Sequence, residues 1–204
     1  MITEIKRADG KTIVEEHEIL KEIESFYSEL YASQVVDDNK AFNYFTCDLQ
    51  TAKLTVEERD ELEGYITIEE CAKVLKTFPP GKSPGDDGFT AEFYTCFFDL
   101  VSRDLVNSFN AAYKEGELSI SQRRGVITLV PKEDSGLSDL SNWRPITLLN
   151  LDYKIASKVI AKRIEKILPR IIHPDQTGFV KGRYIGQNIR LINDIMEQIG
   201  RAHV

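Results

Sequence analysis

Two runs rich in β-branched residues, RRGVITLVPK (Arg123 to Lys132) and WRPITLL (Trp143 to Leu149), stand ten mostly polar or turn-forming residues apart, Glu133 to Asn142, in a chain whose other long periodic segments are helical. Such runs read as strands. Paired antiparallel, they form a hairpin, and the fold class that follows is α+β, mainly helical with a β-hairpin. The pairing also sets a chemical expectation. Lys132 and Arg144 emerge together at the loop-proximal end, beside Trp143. A lysine offers a compact charge and an arginine fork grips a phosphate bidentately or lies flat on a base, so the pair suits a nucleoside triphosphate. The competing reading is a solvated hairpin end.

The remaining periodicity is helical. Near the N-terminus, Asp9-Gly10 between two short alternating runs signals a small hairpin. Ile19, Leu20, Ile23, Phe26, Tyr27, Leu30 and Tyr31 then recur at helical spacing, with Glu15, Glu18, Glu22 and Glu29 turned to water. From Ala32 to Leu54 no period is sustained, which predicts a loop with one short turn. Thr55 with Glu58 and Thr67 with Glu70 have the spacing of reciprocal helix caps, and Gly64 and Pro79-Pro80 are the stops. GKSPGDDGF, Gly81 to Phe89, is a glycine- and proline-rich loop. A long helix follows, its face formed by Phe93, Tyr94, Phe97, Val101, Leu105, Phe109 and Tyr113, with Gly116 closing it. Asp152 to Leu168 is again helical, with Ile155, Val159, Ile160, Ile164, Ile167 and Leu168 inward. Lys154, Lys158, Lys162 and Lys166 make a stripe joined by Arg163 and Arg170. Pro169 stops it, the loop HPDQTGFVKGR intervenes, and a last helix runs from about Ile185 to Gln198.

Charge sharpens the picture. The chain of 204 residues is net −7, but residues 1–80 carry 9 Lys+Arg against 18 Asp+Glu, whereas 121–204 carry 14 against 8. A polyanion is therefore expected on the later part. The 42% hydrophobic content supports one core with room for a smaller appended segment. No apolar run approaches the roughly 18 residues of a membrane span, and the charged MITEIKRADG start is unlike a signal peptide, so the expectation is an intracellular, nuclear or cytoplasmic protein without a membrane partner. Cys47, Cys71 and Cys96, odd in number and widely spaced, point to reduced structural thiols rather than a disulfide framework or zinc site.

Four blocks carry a resemblance: SPGDDGFTAEFY from Ser83, ITLVPK from Ile127, NWRPITLLNLDYKIASKVIAKRI from Asn142, and IIHPDQTGFVKGRYIGQNIR from Ile171. In this order and spacing they resemble consecutive blocks of LINE-type, non-LTR retrotransposon reverse transcriptases, and the upstream FYSELY and LTVEE resemble the segment that precedes the polymerase there. The resemblance implies an incomplete fingers and palm of a right-hand polymerase over 81–198, a pre-polymerase segment over 1–80, and a fragment of an RNA-directed DNA polymerase. Its partners would be an RNA template, a DNA primer and deoxynucleoside triphosphates, and Mg2+ would serve the full-length enzyme without binding this fragment. It assigns Lys132 and Arg144 to the triphosphate. Lys158, Lys162, Arg163, Gln176, Lys181 and Arg183 fall in parts expected near template and primer, where Phe179, Tyr184 and Gln187 are placed for base contacts, with Phe179 expected to plug the core instead.

Two positions depart from the family pattern: Asp86 stands where proline is usual, and Gln187 where an acidic residue is common. The family's aromatic-x-Asp-Asp hairpin is not found, and Asp86-Asp87 reads as turn chemistry, so no catalytic residue or metal ligand is assigned and the chain alone is expected to be inactive. The last six residues, IGRAHV, resemble translated adapter sequence, implying a non-native tail over 199–204. The alternatives are a non-catalytic nucleic-acid-binding remnant and a poorly folding translation of a decayed element that exposes apolar surface.

Overall fold

A computed structural model describes residues 2–7, 9–32, 39–47, 52–132 and 136–202. Its contacts divide the chain into two units, one from residues 1–48 with 124–149, the other from 49–123 with 150–204.

In the first unit, β1 (Ile5–Lys6) and β2 (Thr12–Ile13) pair antiparallel around Asp9-Gly10, and α1 (Glu16–Leu30) follows. The Asp9 carboxylate accepts the Lys11 amide at 2.8 Å, which fixes the turn. The longer strands β3 (Gly125–Pro131) and β4 (Trp143–Leu149) pair antiparallel as expected, in a register that sets Val130 opposite Arg144 and Pro131 opposite Trp143. A 3-10 turn over Leu140–Asn142 precedes β4. Ile5, Ile13, Ile19, Leu140 and Trp143 form the core, and the Trp143 indole N–H donates to the Leu137 carbonyl at 3.0 Å. The apolar face of α1 is narrower than its sequence suggests: Ile19 and Tyr27 are buried, but Leu20, Leu30 and Tyr31 are exposed.

Where the aperiodic stretch predicts a loop, the structure has a helix, α2 (Asn39–Thr46). Its Phe42 and Tyr44 face outward, so no buried stripe marks it in the sequence. Residues 33–38 and 48–51 of the same stretch lie outside the described residues.

The second unit is helical. The caps form as their spacing requires: Thr55 opens α3 (Val56–Leu62), Thr67 opens α4 (Ile68–Leu75), and in each the threonine and the glutamate three residues on satisfy one another's backbone amides. The long helix α5 (Ala91–Glu115) ends at Gly116, whose φ of +74° suits glycine, and it bends at Phe97. The bend turns the buried face: Tyr94, Ser102, Val106 and Phe109 are inside, whereas Phe97 and Tyr113, expected inward, are exposed. A short α6 (Ile120–Arg123) leads out of the unit, and α7 (Leu151–Glu165) and α8 (Leu168–Ile171) return to it. The last helix, α9 (Gly186–Ala202), leaves Ile189, Ile192, Ile195 and Met196 exposed.

Along α7 the buried row is Leu151, Ile155, Ala156 and Val159, packed on Cys71, Val74 and Leu75 of α4 and on Tyr94, Val106 and Phe109 of α5. Ile160 and Ile164, expected inward, are exposed. The next position on the row Leu151, Ile155, Val159 is Arg163, a charge at the edge of the core. Cys71 is fully buried, and burial pushes its thiol up to about 11. All three cysteines are free thiols. Among the described residues no helix is long and apolar enough to cross a membrane.

Candidate nucleic-acid and nucleotide contacts

The hairpin β3–β4 brings Lys132 and Arg144 to one end, as its pairing requires. Val130 and Arg144 are cross-strand partners and so share a sheet face, and alternation returns Lys132 to that face beyond Pro131. The backbone ladder continues one step past the strand, with the Lys132 amide donating to the Asn142 carbonyl at 2.8 Å. Both side chains are exposed. The Lys132 ammonium donates to the Ser141 carbonyl at 2.7 Å, leaving two N–H donors. Arg144 makes one long bond, 3.5 Å to the Pro131 carbonyl, and has no carboxylate partner among the described residues.

The basic row of α7 divides sharply. Arg163 is held on all sides: Nε and Nη2 meet the two Glu70 carboxylate oxygens at 2.7 Å each, Nη2 donates to the Tyr65 carbonyl at 2.9 Å, and Nη1 donates to the Gly64 and Leu62 carbonyls at 2.9 and 3.3 Å. The Leu62 carbonyl is one that the end of α3 leaves without a helical partner, and Gly64 and Tyr65 lie in the turn that follows, so the guanidinium ties down the exit of that helix. The same contact holds the Glu70 carboxyl below the ordinary carboxylate range. Lys162 pairs with Glu165 at 2.6 Å, Lys166 with Glu61 at 3.4 Å, and Arg170 with Glu58 of α3. Apart from the local Lys162–Glu165 pair, acidic residues of α3 and α4 therefore meet basic residues of α7 and α8 that lie far from them in the sequence.

Lys158 differs. Its Nζ sits 4.2 Å from the centre of the Phe78 ring and donates to the Thr77 carbonyl at 3.4 Å.

In the loop after α8, Arg183 acts as a hub, donating to the carbonyls of His173 at 2.6 Å, Gln176 at 2.7 Å, and Pro169 and Ile172 at 2.8 Å. Gln176 returns its own amide to the Gly178 carbonyl at 3.1 Å, and exposed Lys181 approaches Glu165 at 3.9 Å. Phe179 is not a core plug. It is fully exposed, with a left-handed φ of +61° that a bulky side chain rarely adopts. The Arg183 hub fixes the loop from inside, so its apex need not pack.

The loop Gly81 to Phe89 is anchored by a residue that sequence reading passed over. Asn150, 2% exposed just before α7, accepts the Asp87 amide at 3.3 Å and donates to the Ser121 carbonyl at 3.0 Å. Asp87 in turn accepts the Phe89 amide at 3.0 Å, the turn role expected of it. Beside it, burial raises the Asp152 carboxyl above its ordinary range. Tyr94 is pushed up to about 12, chiefly by burial and then by the carboxylates of Asp152 and Asp87. The polar doublet Asn-Leu-Asp ahead of a helix was the available signal, but an N-cap is the usual meaning of such an asparagine. No group of three His, Cys, Asp or Glu side chains that could hold a metal is assembled among the described residues.

Residues 130–204 match the family described as reverse transcriptase (RNA-dependent DNA polymerase). Over 198 residues, 96% of this chain, the sequence is 37% identical to the transposon TX1 uncharacterized 149 kDa protein of Xenopus laevis. Over 116 residues, 57% of this chain, it is 30% identical to the retrovirus-related Pol polyprotein from type-1 retrotransposable element R2 of Popillia japonica. The chain belongs to the LINE-type, non-LTR retrotransposon reverse transcriptases. It spans about 15% of the length of each of these two relatives. The matched reverse transcriptase region takes in Lys132, Arg144 and the cations of α7 and of the Arg183 loop, and it begins after the loop Gly81 to Phe89.

Proposed function

We propose that this chain is a gripping part of an RNA-directed DNA polymerase, the fingers and start of the palm of a right-hand enzyme, which holds a deoxynucleoside triphosphate and an RNA template paired to a DNA primer. The register of β3 and β4 carries the reading, because it places two cations on one face at one end of a hairpin. Triphosphate oxygens there would take the remaining donors of Lys132 and the Arg144 fork. Template and primer phosphates would meet Lys158, Lys162 and Lys181, with Gln176 at the loop surface. Arg163 and Arg183 act in this reading by holding α3 and the loop in place.

Phosphoryl transfer in polymerases uses Mg2+ held by carboxylates. Among the described residues no three His, Cys, Asp or Glu side chains come together to hold such an ion. In this reading the metal-holding aspartates lie outside residues 1–204, and residues 1–80 precede the polymerase proper.

Binding of a fluorescent deoxynucleoside triphosphate tests the grip. Lys132→Ala and Arg144→Ala should each weaken it roughly tenfold, the scale of one charge-assisted hydrogen bond. Equal affinity in wild type and both variants overturns the assignment. With Mg2+ and a primed RNA template the chain alone should extend nothing, and measurable extension contradicts the proposed division of labour. A non-catalytic nucleic-acid-binding remnant is the second reading, favoured by the Lys132 ammonium turned back onto its own loop. Salt-sensitive RNA binding without triphosphate binding would decide for it.

A further inference from the structure

The cations of the second unit separate by what they face. Lys162, Arg163, Lys166 and Arg170 each have a glutamate partner. Lys154 and Lys158, on the first half of α7, have none among the described residues, and neither has Lys82 on the loop before α5. Lys82 and Lys154 line, with Phe78, Ser83, Pro84 and Phe89, a cleft of about 200 Å³. Lys158 stands at its Phe78 wall.

The aromatic part is built to receive a flat group. Phe89 is 43% exposed, while behind it Phe93 stacks at 4.4 Å between ring centres with 29° between planes. Its loop is tied down at three points: Gly81 donates to the Glu92 carboxylate at 2.6 Å, Phe89 to Asp87, and Asp87 to buried Asn150. Glu92, the acid closest to the loop's start, is thus occupied by a backbone amide. Lys154 and Lys158 are one helical turn apart, about 6 Å along the axis.

We infer that this cleft is a binding site for single-stranded nucleic acid, with phosphates on Lys82, Lys154 and Lys158 and one base stacked on Phe89. The chemistry selects this ligand. A strand with unstacked bases presents phosphate and flat ring alternately, and lysine beside a supported, half-open aromatic matches both. A duplex keeps its bases stacked inside, and an acidic peptide has charge without the ring. The inference rests on the polymerase reading above and narrows where the strand runs.

Fluorescence anisotropy with labelled oligouridylate and oligodeoxythymidylate, at several salt concentrations, tests it. Lys82→Gln/Lys154→Gln/Lys158→Gln should weaken binding and make the slope of log affinity against log salt shallower by about two, since each single-strand phosphate contact contributes roughly 0.7. Phe89→Leu, which keeps apolar bulk, should lose about tenfold with the slope unchanged. Lys73→Gln/Lys166→Gln, equal in kind but outside the cleft, should bind as wild type, and matching thermal melts show that the fold persists. Loss on Lys162→Gln with the cleft variants unaffected overturns the cleft and leaves the polymerase reading standing. Polyglutamate competing with the same dependence on the three lysines, with Phe89→Leu silent, overturns it in favour of a general anion surface. Wild type failing to bind either oligonucleotide at low salt overturns both.

Discussion

At its far end α7 presents Arg163 and Lys166 to the glutamates of α4 and α3, whereas at its near end it presents Lys154 and Lys158 to an aromatic, proline-bearing loop. The residue types are the same and the spacing is regular, yet one end stabilises the fold and the other is left open for a ligand. A side chain's function follows from what the neighbouring elements bring to face it. At the far end, charge pairing replaces apolar burial at the edge of the core, and Arg163 donates to the Leu62 carbonyl at the end of α3 and to Gly64 and Tyr65 in the turn after it. At the near end none of the ion pairs among the described residues involves Lys154 or Lys158, so their ammonium groups remain available to phosphate.

The contrast breaks first, and most strongly, at Arg163. Arg163→Ala should lower stability by about 3 kcal/mol in urea denaturation, because it strands a partly buried carboxylate and takes the donor from three carbonyls. Lys158→Ala should cost less than about 1 kcal/mol. Comparable losses would erase the distinction. Next comes the anchor of the open end: Asn150→Ala should cost about 2 kcal/mol and speed amide exchange at Asp87, since the Asp87 amide and the Ser121 carbonyl each lose their partner. A stability loss without faster exchange would mean that the loop is held by something else.

Glu70 and Asp152 respond to pH with opposite signs. Glu70 has its carboxyl lowered by Arg163, so its contribution is present above the unfolded carboxylate range near 4.3 and is lost as pH falls through the lower folded value. Asp152 is raised by burial, so the sign reverses: stability is greatest below its unfolded value near 3.9 and falls as pH rises through the raised folded value. Glu70→Gln should flatten the acid limb of a stability–pH curve, and Asp152→Asn the segment just above it. The smallest effect belongs to Lys166→Gln, no more than about 0.5 kcal/mol and abolished by high salt, as suits an exposed pair.

Much of the scaffold was legible because its signals are local. Thr55 with Glu58, Thr67 with Glu70, and Asp9-Gly10 each act over two or three residues, and no distant contact overrides them. The β3–β4 register was legible for a related reason, since two β-branched runs with a loop between them had each other to pair with. What the sequence concealed depends on rotation and distance. Lysines at four-residue intervals on a helix of 3.6 residues per turn drift about 40° per step, so Lys154 and Lys166 point about 120° apart and meet different neighbours. The glutamates opposite Arg163 and Lys166 stand about a hundred positions earlier, where no spacing rule reaches them. Phe97 leaves the core at a bend that periodicity does not register, and Tyr113 lies at the end of α5, one turn past the buried Phe109. α2 carries no buried stripe to mark it, since its Phe42 and Tyr44 face outward.

Amide hydrogen exchange of the chain with and without saturating oligouridylate tests the division of α7 most directly. New protection confined to the segment from Thr77 to Ala91 and to the first half of α7 is the predicted result. Protection over Lys162 to Arg170 and the turn at Gly64, with the Phe89 loop unchanged, would contradict it.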